Sequence, residues 1–124
     1  MQQAQIVTYG IDGVLAERLR EFTQARRIWL RETSQHAACR NLVNTTAPPI
    51  VIIVLGADLE RELTLIERVH ESVPETAIIA IVETDNPTLA GLAWDLGAAF
   101  VLAPPMPIER IIELIERILD EAAS

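Results

Sequence analysis

Lysine is absent from this chain: all ten of its basic residues are arginine. Lysine-based Schiff-base catalysis and phosphate-loop chemistry are thereby excluded, because both need a lysine amine. A single cysteine, Cys39, permits neither an intramolecular disulfide nor a cysteine-based zinc site. The two histidines, His36 and His70, lie far apart without metal-ligand spacing. No apolar run reaches the ~18 residues of a membrane span, and no basic-then-apolar leader opens the sequence. Neither secretion nor membrane insertion is expected, and the cytoplasm is the expected location. Basic residues are few against 18 acidic ones, for a net charge of -8. Direct nucleic-acid binding is not expected, since phosphate contacts need clustered Arg and Lys. Aromatic residues make up 4% while hydrophobic residues make up 50%, so the core must be built from Ile, Val, Leu and Ala. No nucleophile stands beside a base, so no enzyme with turnover is expected.

What is present describes one α/β domain over residues 1–124. Ile50 to Leu55 is six consecutive aliphatic residues, five of them β-branched, and Ala77 to Val82 is a second such run. Runs without polar alternation indicate strands buried on both faces, at the centre of a parallel sheet. Gln5 to Tyr9 reads as a first strand. Arg26 to Glu32, with Ile28, Trp29 and Leu30 between charges, reads as a strand near a sheet edge with Trp29 in the core. Helices are expected from Asp12 to about Gln24, with Val14, Leu15, Leu19 and Phe22 along one side, and from Thr33 or Ser34 to about Val43, with Ala37, Ala38, Leu42 and Cys39 inward. Asp58 to Val73 carries Leu59, Leu63, Ile66, Val69 and His70 at helical spacing, both histidines being expected as partly buried. A fourth helix, Thr88 to Leu96, opens after Asn86-Pro87 and stops at Gly97.

The stretch from Gly97 to Pro107 ties the chain together: a Gly-Ala turn, a short apolar strand, Pro104-Pro105, then a helix opened by proline. Ile108, Ile111, Ile112, Ile115, Ile118, Leu119 and Ala122 form its inward stripe, and Leu114 widens it. Glu113 and Arg117 are spaced to pair outside, and Asp120 to Ser124 are expected to fray. Five strands alternating with five helices through short, right-handed connections give a doubly wound parallel sheet.

The Gly97 to Pro105 stretch resembles the end of the receiver domain of two-component response regulators, and the pattern of elements is similar over the whole chain. The resemblance implies a flavodoxin-like (βα)5 fold with strand order 2-1-3-4-5. It also implies functional positions: an acidic pair holding Mg²⁺ after the first strand, a phosphoacceptor Asp ending the third, a hydroxyl ending the fourth and a lysine after the fifth. On this chain those positions fall on Gly10 and Ile11, on Val54 or Leu55, on Val82 and on Pro104. An aliphatic side chain forms no acyl phosphate and ligates no hard cation. The expected reading is a degenerate receiver without cofactor, acting as a signalling, protein-interaction or dimerisation module. The retained Pro105 fits either a cis bond, as is common in the family, or a rigid trans turn.

Other readings stay open. Asp12, Asp58, Glu83 and Asp85 all lie just past strand ends. They are either helix caps and solvated loop residues, or a carboxylate pocket holding Mg²⁺ with Asp58 as an unorthodox phosphoacceptor. A small-molecule sensor would need an apolar pocket beneath Tyr9, Val82 and Ala103. Trp94 either anchors an interface or fills a seam between helix and sheet. The resemblance nominates the face of the fourth helix, fifth strand and fifth helix for a protein partner or a second copy, with Arg110, Leu114 and Arg117 on it.

Overall fold

The computed structural model describes residues 4–105 and 107–123; Met106, within the proline-rich stretch, and Ser124 lie outside them. In chain order the elements are β1 (Gln5–Tyr9), α1 (Gly13–Ala25), β2 (Trp29–Thr33), α2 (His36–Thr46), β3 (Ile50–Leu55), α3 (Leu59–Ser72), β4 (Ala77–Val82), α4 (Pro87–Leu96), β5 (Phe100–Leu102) and α5 (Ile108–Ala123). All four strand pairings are parallel, in the order β2-β1-β3-β4-β5, so the doubly wound sheet is as expected.

Alternation along the strands divides the aliphatic residues between two cores. Val7, Val51, Ile53, Ile78 and Ala80 face α2, α3 and α4, whereas Ile6, Ile50, Ile52 and Ile79 face α1 and α5. Burying each such side chain contributes about 1.5–3 kcal/mol, which is why the two uninterrupted aliphatic runs occupy the centre. β2 lies at an edge, as its flanking charges suggested, and Thr33 Oγ1 holds it to β1 by donating to the Thr8 carbonyl at 2.6 Å.

Several local expectations are corrected. Trp29 is half exposed, because an edge strand has a neighbour on one side only; its ring lies beneath the Arg31 guanidinium, 5.1 Å from the centroid. α2 starts two residues later than expected and runs to Thr46, where Ala47 adopts a left-handed conformation that ends it; Ala37 and Ala38 face solvent while Cys39 and Val43 are buried. On α3 the inward residues are Glu62, Leu65, Ile66 and Val69, a stripe turned away from Leu59 and His70, which are exposed. Val14 and Ala122 are likewise exposed. α5 stays helical to Ala123, and Glu113–Arg117 is not among the ion pairs of the described residues. The Pro104–Pro105 bond is cis.

Candidate functional site

Parallel strands place every βα connection at one edge of the sheet, where ligands of such folds bind. The register fixes which residues meet there. Tyr9 pairs with Ile53, so Gly10 comes beside Val54, and a Cβ at position 10 would sit 3.8 Å from that of Val54. Leu55 pairs with Val82, both almost fully buried, and Ile81 pairs with Leu102 ahead of the exposed Pro104. Ile11 packs against the α1–α5 core. These side chains bear hydrogen or hydrocarbon only, so none of them is a nucleophile, a cation ligand or a donor to an oxyanion.

The nearest polar groups lie one step further out. Glu62 is a buried carboxylate that the apolar spacing of α3 does not bring out. Its Oε1 accepts the Gly56 N–H at 2.9 Å and its Oε2 the Asp58 N–H at 3.1 Å, so it ties the β3–α3 loop to the helix that follows. The available signal was its spacing: Glu62 precedes Ile66 by four residues and Val69 by seven, on the inward face, and follows the N-cap Asp58 as in an extended capping box. Glu83 lies on the other side of the same loop. A Cβ on Gly56 would fall 2.9 Å from the Glu83 carboxyl carbon, so glycine is what lets that side chain approach.

Asp58 caps α3 by accepting the Arg61 N–H at 3.5 Å and lies 3.6 Å from the Arg61 guanidinium. Asp12 occupies the N-cap of α1, yet its side chain makes no capping hydrogen bond. Asp58, Glu62 and Glu83 border one cleft of about 230 Å³ with Tyr9, Gly10 and Ser34, which Asp12 and Asp85 do not reach. Burial pushes the Tyr9 phenol above its ordinary range, and the Glu62 and Asp58 carboxylates push in the same direction. A second cleft of about 220 Å³, lined by Ile81, Val82, Leu102, Ala103, Pro104 and Ile111, adjoins Glu83 from the α5 side. The pocket envisaged beneath Tyr9, Val82 and Ala103 is thus two clefts with Glu83 between them. Among the described residues no three or more His, Cys, Asp or Glu side chains are arranged to hold a metal ion. A larger cleft, about 480 Å³, is at the opposite edge, lined by Gln5, Trp29, Thr45, Thr46, Pro48 and Pro49; its lining holds no titratable side chain.

The residues nominated for an interface come from two helices on either side of β5. On α4 the buried positions are Leu89 and Ala93, and Trp94 stands roughly 120° round the helix from them. A right-handed β4–α4–β5 crossover turns that flank toward β5, away from α3. Trp94 is 50% exposed, so it does not fill a seam. On α5, Glu109 and Glu116 point to α1, where they meet Arg18 and Arg26 at 2.8 Å. Arg110, Leu114 and Arg117 follow at i, i+4 and i+7 on the other flank, with Leu114 half-buried and both arginines exposed. Neither arginine has an ion-pair partner among the described residues. β5 between them is a sheet edge whose three residues are only partly covered.

No protein-family model matches the chain, and a search of curated proteins returns no match. Solved structures do share its fold. A CheY-like response regulator receiver domain protein from Methanospirillum hungatei JF-1 superposes with a TM-score of 0.82 at 12% identity, over 97% of this chain and 96% of that one. The signal receiver domain of an HD domain-containing protein from Pseudomonas fluorescens Pf-5 gives 0.81 at 17% identity, over 97% of each chain. A CheY-like protein (tadZ) from Pseudomonas aeruginosa PAO1 gives 0.76 at 18% identity, over 94% of this chain and 99% of that one. At such identities the likeness is one of fold, the five-stranded receiver architecture.

Proposed function

We propose that this domain is a receiver-like signalling module that works by protein recognition and not by phosphorylation, in a two-component type of regulator. The observation that carries the reading is the row of Gly10, Ile11, Val54, Leu55, Val82 and Pro104 at the strand ends, where the fold's chemistry would need carboxylates, a hydroxyl and an amine. Asp58, the nearest exposed carboxylate on the β3–α3 loop, is engaged as a helix cap and by Arg61. With no acyl phosphate to make, the domain has no catalytic residue, and its state is set by differential affinity of a partner for its conformations.

The recognition surface in this reading is the α4–β5–α5 face, with Trp94 as the anchor, Leu114 beside it and Arg110 and Arg117 at its rim. Tryptophan and arginine are the residue types most enriched among interface hot spots. Exposed ion pairs contribute only about 0–1 kcal/mol, so the arginines would set register more than affinity. The occupant is a protein partner or a second copy of the chain. Light scattering over a wide concentration range, on wild type, Trp94→Ala and Leu114→Glu, tests the self-association form. Concentration-dependent dimerisation that both variants abolish supports it. A wild type that stays monomeric throughout removes the homodimer, and dimerisation untouched by either variant moves the interface elsewhere.

A further inference from the structure

The five βα connections, Gly10 to Gly13, Ser34-Gln35, Gly56 to Asp58, Glu83 to Asn86 and Ala103 to Pro107, hold four carboxylates and no basic residue. Asp12, Glu83 and Asp85 are exposed and without an ion-pair partner among the described residues, and Asp58 is shared with Arg61 alone. The same edge exposes hydrocarbon. Val14, in the first turn of α1, is 68% exposed and Leu59, which opens α3, is 41% exposed, the two standing on opposite sides of the sheet. The same edge holds the two clefts that flank Glu83. Each, at about 220 to 230 Å³, is smaller than the ~300–1,000 Å³ of a small-molecule site and suits one or two amino-acid side chains.

We propose that this edge is a docking surface for a basic, amphipathic segment of a partner protein. Apolar side chains of that segment fill the clefts and cover Val14 and Leu59, while its Lys or Arg side chains meet Asp12, Asp58, Glu83 and Asp85. Charge complementarity fixes the choice of occupant: an acidic or neutral segment would leave the carboxylates facing like charge or desolvated without a partner. A second copy is a poor fit, since its arginines are distributed over α1, the α1–β2 connection, β2, α2, α3 and α5, and the one beside this edge, Arg61, is already shared with Asp58. This surface is separate from the α4–β5–α5 face, and each stands without the other.

The test is fluorescence anisotropy of a labelled amphipathic helix made of leucine and lysine, with its leucine–glutamate counterpart as control. Saturable binding of the lysine peptide alone is expected. Val14→Asn/Leu59→Asn and Glu83→Gln/Asp85→Asn should each weaken it about tenfold. Glu67→Gln/Glu71→Gln, on the exposed side of α3, removes the same charge and should change it by less than about twofold. Trp94→Ala should leave it unchanged, which separates this surface from the proposed interface. Absence of saturable binding overturns the proposal. So do equal losses in the two carboxylate pairs, which would mean attraction by net charge, and a loss confined to Trp94→Ala.

Discussion

The Glu62 carboxylate accepts the Gly56 backbone N–H at 2.9 Å, across the turn where β3 gives way to α3. With its second oxygen on Asp58 N–H, it satisfies two donors that the loop would otherwise leave facing the interior. The β3–α3 loop is held by the chain's own carboxylate at the edge where the fold elsewhere carries its chemistry.

Glu62→Ala should therefore destabilise the domain by about 1–3 kcal/mol, because two part-buried N–H groups lose their acceptor. Glu62→Gln keeps one acceptor oxygen and should cost less. Urea unfolding followed by circular dichroism measures both. A change in Glu62→Ala within about 0.5 kcal/mol, the usual range for a surface site, would show that the tie is not structural.

Gly97 ends α4 at a φ of 121°, and a Cβ there would collide with Cβ and Cγ of His70 on α3. Gly97→Ala should cost at least about 1–2 kcal/mol from the backbone alone, with the collision added. Combining it with His70→Ala should recover the steric part and leave the backbone part. Additive losses in the double variant would show that the two residues do not press on each other.

Glu109 is held below the ordinary carboxylate range by its hydrogen bond to Arg18, with the guanidinium charge acting in the same direction. A lowered folded-state pKa gives stability that is present above the unfolded-state value and lost as pH falls through the folded-state one. Wild type should exceed Glu109→Gln in denaturation midpoint near neutrality, and the two should converge in acid below the carboxylate range. The difference should be small, as the pair is exposed, and salt should reduce it. A gap that widens on acidification would contradict the pairing.

The fold was legible because its signals were redundant: two six-residue aliphatic runs, proline and glycine at helix ends and a strongly patterned last helix agree on one topology. Errors arose where one local signal stood alone. Its place in the second strand suggests a core position for Trp29, but an edge strand buries little, and Arg31 covers the ring instead. On α3, spacing that leaves out the carboxylates puts Leu59 and His70 inward; treating Glu62 as an inward residue turns the stripe to Leu65, Ile66 and Val69. Of the site, the residues at the strand ends could be read directly, since they follow from the strand boundaries alone. The close approach of Glu83 to the β3–α3 loop could not, because it depends on Gly56 lacking a side chain.

Thermal melting with and without Mg²⁺ plus beryllofluoride, a mimic of a phosphorylated carboxylate, is the decisive experiment, with Asp58→Asn as control. A bound ligand raises the melting temperature according to its concentration over its dissociation constant. No shift is expected in wild type, because Val54 and Leu55 stand where the acceptor would be and Asp58 is engaged in capping. A Mg²⁺-dependent stabilisation that vanishes in Asp58→Asn would contradict this and make the domain an unorthodox phosphorylated receiver.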